Sequence, residues 1–156
     1  MSADGPPAKK AKMTSTSAVL YFDGGSRGNG SRGAVAGAGC VLLMDDVVRY
    51  EGSFYLGHAT NNEAEYAALK SALDAARIAG IKRVVCRGDS DLVVQQMKGT
   101  FRVKAKNLQT LNVECHRLAR TFEHVEYEHV YREHNKKADA LANRAMDTKQ
   151  DYEWAK

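Results

Sequence analysis

Apolar residues first gather at residues 18–23, Ala-Val-Leu-Tyr-Phe-Asp, a β-prone run that predicts a strand. Residues 24–32 are rich in Gly, Ser, Asn and Arg and predict a loop. Residues 34–44 and 47–56 predict two more strands joined at Asp45-Asp46, so the chain opens as an antiparallel meander. The period then changes. Residues 61–79 predict a helix, with Thr60 and Glu63 spaced as a capping box and Gly80 closing it. Residues 83–87 predict a fourth strand and 90–97 a short helix. Residues 107–122 predict an amphipathic helix with Leu108, Leu111, Cys115 and Leu118 on its apolar stripe. A strand over 124–132 and a helix over 136–147 complete the order β-β-β-α-β-α-α-β-α. That order predicts an α/β fold, a five-stranded mixed sheet flanked by helices.

Composition changes the picture little. The chain has 156 residues, 44% hydrophobic and 27% charged, enough for one domain with a sizeable core. That domain is expected over 18–148, between a disordered basic tail, 1–17, and a short C-terminal tail, 149–156. No apolar run approaches the ~20 residues of a membrane span. The N-terminus lacks a signal-peptide core, so an intracellular monomer is expected. Cys40, Cys86 and Cys115 are odd in number and far apart, which fits buried thiols in a reducing compartment rather than a zinc site.

The net charge is +4, and its distribution says more than its sum. Residues 1–17 hold Lys9, Lys10 and Lys12 against Asp4. This Pro-Pro-Ala-Lys-Lys-Ala-Lys stretch resembles a nuclear-import signal; without that role the protein is expected in the cytoplasm. The remaining 20 basic and 18 acidic residues leave the folded part only mildly basic, so bulk charge does not reveal a nucleic-acid partner.

Four acids carry the candidate chemistry. Asp23 and Asp89 end the first and fourth strands, and ligands of open α/β sheets bind beyond such ends. Either could instead be a turn residue, and Asp89 alone could cap the helix beginning at Ser90. Glu65 lies four residues before Leu69 on the apolar stripe of its helix, where a carboxylate is costly without a cation or donor. A structural salt bridge is the alternative. Asp139 borders the packed face of the last helix, with Ala142 and Met146 at i+3 and i+7. Jointly the four suit a two-metal site, because oxygen donors without Cys or clustered His select Mg²⁺ or Mn²⁺. One distractor is the G-x-G-x-x-G at residues 28–33. A dinucleotide fingerprint requires a helix next, whereas a glycine-broken, strand-like segment follows.

Four blocks now align in order: Tyr21-Phe22-Asp23-Gly24-Gly25-Ser26, Thr60-Asn61-Asn62-Glu63-Ala64-Glu65-Tyr66, Gly88-Asp89-Ser90, and the run Arg132-Glu133-His134-Asn135-Lys136-Lys137-Ala138-Asp139 with Ala140-Leu141-Ala142 after it. Together they resemble the ribonuclease H type 1 family over nearly all of the folded chain. The resemblance implies endonucleolytic hydrolysis of RNA in RNA–DNA hybrids by a two-metal mechanism, with 5′-phosphate and 3′-hydroxyl ends. It assigns Asp23, Glu65, Asp89 and Asp139 to the metals. The best-known bacterial branch adds a basic handle and a catalytic His ten residues before the last Asp. Here that position is His129, inside a predicted strand, so the role is not carried over. The chain looks like the compact branch, whose Arg-Glu-x-Asn block makes Arg132 a candidate catalytic group and leaves a proton-shuttling His134 open.

Candidate substrate contacts follow. Recognising RNA needs a partner for the 2′-hydroxyl, and Asn61 and Asn62 offer amides beside Thr60. Gly24, Gly25 and Ser26 can bring backbone groups close to the RNA strand. Lys98, Arg102, Lys104 and Lys106 form a segment free of acids that suits phosphates. The rival from another class is a catalytically silent hybrid-binding module, and the presence of all four acids argues against it. Related polynucleotidyl transferases and exonucleases carry D-x-E on the first strand, where this chain has Asp-Gly-Gly-Ser.

Overall fold

The computed structural model describes residues 16–28 and 34–156. The expected basic tail up to residue 15 and the G-x-G-x-x-G match at 28–33 lie wholly or mostly outside the described residues. The elements are β1 Ser17–Arg27, β2 Val35–Met44, β3 Val47–Gly57, α1 Asn61–Ile78, β4 Arg83–Gly88, α2 Asp91–Lys98, α3 Lys106–Ala119, β5 His124–His129, a 3₁₀ turn Arg132–His134, α4 Lys136–Thr148 and β6 Tyr152–Ala155. One mixed sheet runs β5-β4-β1-β2-β3-β6. β1 pairs antiparallel with β2 and parallel with β4, and β4 pairs parallel with β5.

Alternation along β1 sends Ala18, Leu20 and Phe22 to one face, where Ala38, Cys40 and Leu42 of β2 join them. Tyr66, Leu69, Leu73 and Ala76 of α1 cover this layer, with Val93, Met97, Leu108 and Cys115 from the next two helices. All three cysteines are buried and free, as expected. The opposite face is covered by α4, which presents Ala138, Leu141, Ala142, Ala145 and Met146. The approach of α4 is close because β2 carries glycine beneath it. A Cβ on Gly39 would lie 2.2 Å from the Ala138 carbonyl. Among the described residues, no helix is long and apolar enough to cross a membrane.

The capping box forms as read: Thr60 Oγ1 accepts the Glu63 N–H and Glu63 accepts the Thr60 N–H. Three expectations need correction. The sheet has six strands, not five, because residues 152–155 of the expected tail pair with β3 at Tyr50–Ser53. Tyr50 donates to Glu153, and Arg144 stacks 3.9 Å from the centre of the Tyr152 ring, which fixes this short strand. Gly24, Gly25 and Ser26 are not loop; they continue β1 against Ala38, Gly37 and Ala36. Small residues on both strands leave no side-chain alternation to read, yet the backbone ladder persists. Finally, β5 stops at His129, and the chain turns through Arg132–His134 into α4.

Candidate active site

Four elements deliver one carboxylate each to the same end of the sheet. Asp23 follows Phe22, which is paired with Gly88 at the end of the β1–β4 ladder. Asp89 follows Gly88 and is not used as a cap, since Ser90 Oγ accepts the Val93 N–H at 3.3 Å and caps α2. Glu65 projects from the first turns of α1, buried at 4% exposure. Its Oε1 accepts the Gly24 N–H at 2.9 Å, so β1 and α1 are joined at the site. Only glycine permits this approach, because a Cβ on Gly24 would lie 2.1 Å from the Ala64 backbone. Ligand oxygens of Asp23, Glu65 and Asp89 all lie within 4.8 Å of one another. Asp139 of α4 lines the same cleft and adds its charge to those acting on Asp23.

Electrostatics marks the cluster as incomplete on its own. Burial drives the Asp23 carboxyl far above the usual carboxylate range, and the charges of Glu65 and Asp89 push it further. Burial and Asp89 likewise raise Glu65 to about 8, against the opposing effects of the Gly24 N–H and the Arg132 guanidinium. Packed acids of this kind must either hold protons or share cations. Their donors are all oxygen, the set that hard divalent cations take, so the residues fit a divalent-metal site.

The cleft around the acids, about 210 Å³, is lined by Asp23, Gly24, Gly25, Ser26, Arg27, Asn61, Glu65, Asp89, Arg132, Asp139, Ala142, Asn143 and Met146. Most expected site residues therefore meet in one place. Gly24 spends its N–H on Glu65 rather than offering it outward. Thr60 is engaged in its cap, and Asn62 does not line the cleft. Lys98, Arg102, Lys104 and Lys106 lie apart, exposed on the connection between α2 and α3. Arg132 lines the cleft, while His134 lines a separate groove with Tyr21, Val41 and Leu43. A 3₁₀ turn rotates ~120° per residue, so positions 132 and 134 face different ways. Two lining residues escaped the sequence reading: Arg27, which donates to Asp147 and Asn143 of α4, and Asn143, which donates to the Asp139 carbonyl. For Asn143 the signal was the i, i+4 spacing of 139, 143 and 147 on one helix face; Arg27 had none along the chain.

A family model described as reverse transcriptase-like matches residues 22–145. The chain is 43% identical over 128 residues to ribonuclease HI of Halobacterium salinarum, covering 81% of this chain. It superposes on the ribonuclease H1 structure from that archaeon with a TM-score of 0.80 at 41% identity, over 85% of this chain and 98% of the other.

This chain belongs to the ribonuclease H type 1 family.

The ribonuclease H domain is shared with proteins of different overall length. It spans 63% of the Halobacterium sequence and 35% of a bifunctional protein of Mycobacterium tuberculosis that is 44% identical over 131 residues. The N-terminal ribonuclease H domain of the mycobacterial protein, solved fused to maltose-binding protein, gives a TM-score of 0.81 at 42% identity, covering 85% of this chain and 95% of that one. A ribonuclease H1 isolated from compost, solved in complex with RNA/DNA hybrid, gives 0.78 at 34% identity, covering 85% and 98%.

Proposed function

We propose that this chain is an endoribonuclease that hydrolyses the RNA strand of RNA–DNA hybrids, leaving 5′-phosphate and 3′-hydroxyl ends. The observation that carries the proposal is the convergence of Asp23, Glu65 and Asp89 within 4.8 Å, with Asp139 on the wall of the same cleft, and with Asp23 and Glu65 buried enough to resist ionisation without a cation. These four would hold two Mg²⁺ ions, and the same oxygens would accept Mn²⁺. Bound there, the metals supply electrostatic stabilisation to the attacking and leaving oxygens of phosphoryl displacement.

The protein's own groups do the rest. Arg132, exposed at the cleft wall, grips a phosphate through its fork of donors. Asn61 stands at the start of α1, one turn from Glu65, with an amide that both donates to and accepts from a 2′-hydroxyl. Gly25 and Ser26 form the floor along which the RNA backbone runs. Helix α2 carries the chain ~12 Å from Asp89 before the lysine-rich connection begins, so those cations meet phosphates farther along the same duplex. The silent hybrid-binding reading is disfavoured because no acid is missing and the cleft is furnished with a cation at its wall.

A gel assay on labelled RNA–DNA hybrid, RNA duplex and DNA duplex decides the matter. Internal cutting of the hybrid's RNA in Mg²⁺, abolished by EDTA, is the expected result. Equal cleavage of DNA duplex, or activity undiminished in EDTA, rejects it. Binding without cutting would favour the silent module.

A further inference from the structure

Asp23 and Asp139 belong to different elements and line the same cleft. To share a cation they must be held at a fixed spacing across the junction of β1 and α4. Asn135 sits at the junction. It is 1% exposed, directly before α4 and four residues before Asp139. Its Nδ2 donates at 2.9 Å to the carbonyl of Phe22, the peptide that leads into Asp23. Its own carbonyl accepts the Asp139 N–H at 3.0 Å. Its N–H donates at 2.9 Å to the Arg132 carbonyl. One buried residue is thereby bonded to the backbone beside Asp23, Asp139 and Arg132.

The side chain is polar in a buried position, and its amide gives the Phe22 carbonyl a donor that an apolar residue of similar volume would lack. Its Oδ1 is buried with no hydrogen-bond partner among the described residues. Rotating the amide would set Oδ1 against the Phe22 carbonyl, acceptor to acceptor, so the donor orientation is fixed by chemistry. The helix does not need this amide for its start, since the side chain makes no capping bond to α4.

We infer that Asn135 is a positioning residue that sets the spacing between Asp23 and Asp139, and through it the metal affinity of the site. This rests on the reading of the four acids as metal ligands. Groups that orient metal ligands typically govern 10–100-fold in metal affinity or activity. Ser53 supplies the matched comparison. It is fully buried and its Oγ donates at 2.7 Å to the Leu141 carbonyl, anchoring the same helix to β3 without touching the backbone beside an acid.

The test uses the full chain with Asn135→Ser and Ser53→Ala. Serine is a favoured residue before a helix, so α4 keeps its start in the first variant. If Asn135→Ser does not fold, Asn135→Ala carries the same measurements. Mn²⁺ affinity is read by isothermal titration calorimetry, thermal stability in EDTA, and hybrid cleavage against Mg²⁺ concentration. Both variants should lose stability in EDTA. Only Asn135→Ser should weaken Mn²⁺ binding, by roughly 10–100-fold, and raise the Mg²⁺ needed for half-maximal rate in proportion. Its KM for hybrid at saturating metal should stay near that of the parent. Unchanged Mn²⁺ affinity in Asn135→Ser, or an equal loss in Ser53→Ala, overturns the inference. If the parent chain binds Mn²⁺ but does not cut hybrid, the proposed function fails, while the calorimetric comparison still decides the role of Asn135.

Discussion

The carboxylate cluster and the lysine-rich connection from Lys98 to Lys106 each gather one sign of charge, yet they are built in opposite ways. The acids sit within β1, just past the end of β4 and on two helices, at least two of them buried, with Glu65 tied to the β1 backbone at Gly24. The cations sit on an exposed connection whose side chains reach into solvent. Chemistry at a phosphorus atom needs groups fixed before the substrate arrives, because binding energy spent on ordering them is lost to the reaction. Attraction to a polyanion needs only charge at the right distance, and a mobile lysine serves it nearly as well as a fixed one. Substitutions in the first region should therefore act on turnover, and those in the second on binding and its salt dependence.

Asp89→Asn should break the cleft most severely. It removes a negative charge from the cluster while Ser90 keeps α2 capped, so the fold survives. Turnover should fall by about 10²–10³-fold, the range seen when a positioned electrostatic group is lost, with hybrid affinity retained. Single-turnover cleavage with a parallel binding titration checks both halves. Near-normal turnover would remove Asp89 from the site.

Arg132→Ala comes next. It lines the cleft while His134 faces another groove, so losing Arg132 should cost about 10²-fold and losing His134 far less. Measured across pH 6–9, the Arg132→Ala profile should keep its shape, since arginine does not titrate there. A crippled His134→Ala beside a nearly silent Arg132→Ala would reverse the assignment.

Replacing Lys98, Arg102, Lys104 and Lys106 with serine sharpens the other side of the comparison. The slope of log affinity against log salt should fall in magnitude by about 0.7–0.9 for each phosphate contact removed. Turnover at saturating hybrid should hardly move. An unchanged slope would place the phosphate contacts elsewhere.

The same contrast explains what the sequence made legible. Glu65 stood out because an acid on an apolar helical stripe breaks the binary pattern, and its burial bears the pattern out. Asp23, read as a strand end, lies inside β1, while the position of Asp89 just past β4 was readable from the switch between a β-prone run and turn residues. The extension of β1 through Gly24, Gly25 and Ser26 was not, because glycine and serine give no alternation, and what holds them is pairing with Ala36, Gly37 and Ala38. Strand β6 was hidden for a similar reason: its four residues pair with Tyr50–Ser53 of β3, about a hundred positions away in sequence. Arg27 and Asn135 belong to the same class. Each acts through a partner more than a hundred residues distant, which no local period reveals.

The smallest effect concerns the cluster without metal, and its sign distinguishes a metal site from a structural one. Asp23 and Glu65 both titrate above the range they would have in the unfolded chain. Between about pH 4, the unfolded value, and pH 8, the folded state holds protons that the unfolded state has released. Stability in EDTA must therefore fall as pH rises through that window, and this contribution is absent below it. Asp23→Asn removes one of the two groups and part of the repulsion on the other. Its melting temperature relative to the parent, both in EDTA, should rise between pH 5 and pH 8. A difference of about 1 kcal/mol would show as roughly 2–4 °C in a chain of this length. Excess Mg²⁺ should reverse the order at pH 8, because the parent gains a ligand that the variant holds poorly. Differential scanning fluorimetry of both proteins with and without Mg²⁺ reads all four combinations. If the variant is less stable in EDTA at pH 8 than at pH 5, relative to the parent, then the acids are satisfied by the protein itself, and the case for a metal-dependent cleft loses its electrostatic support.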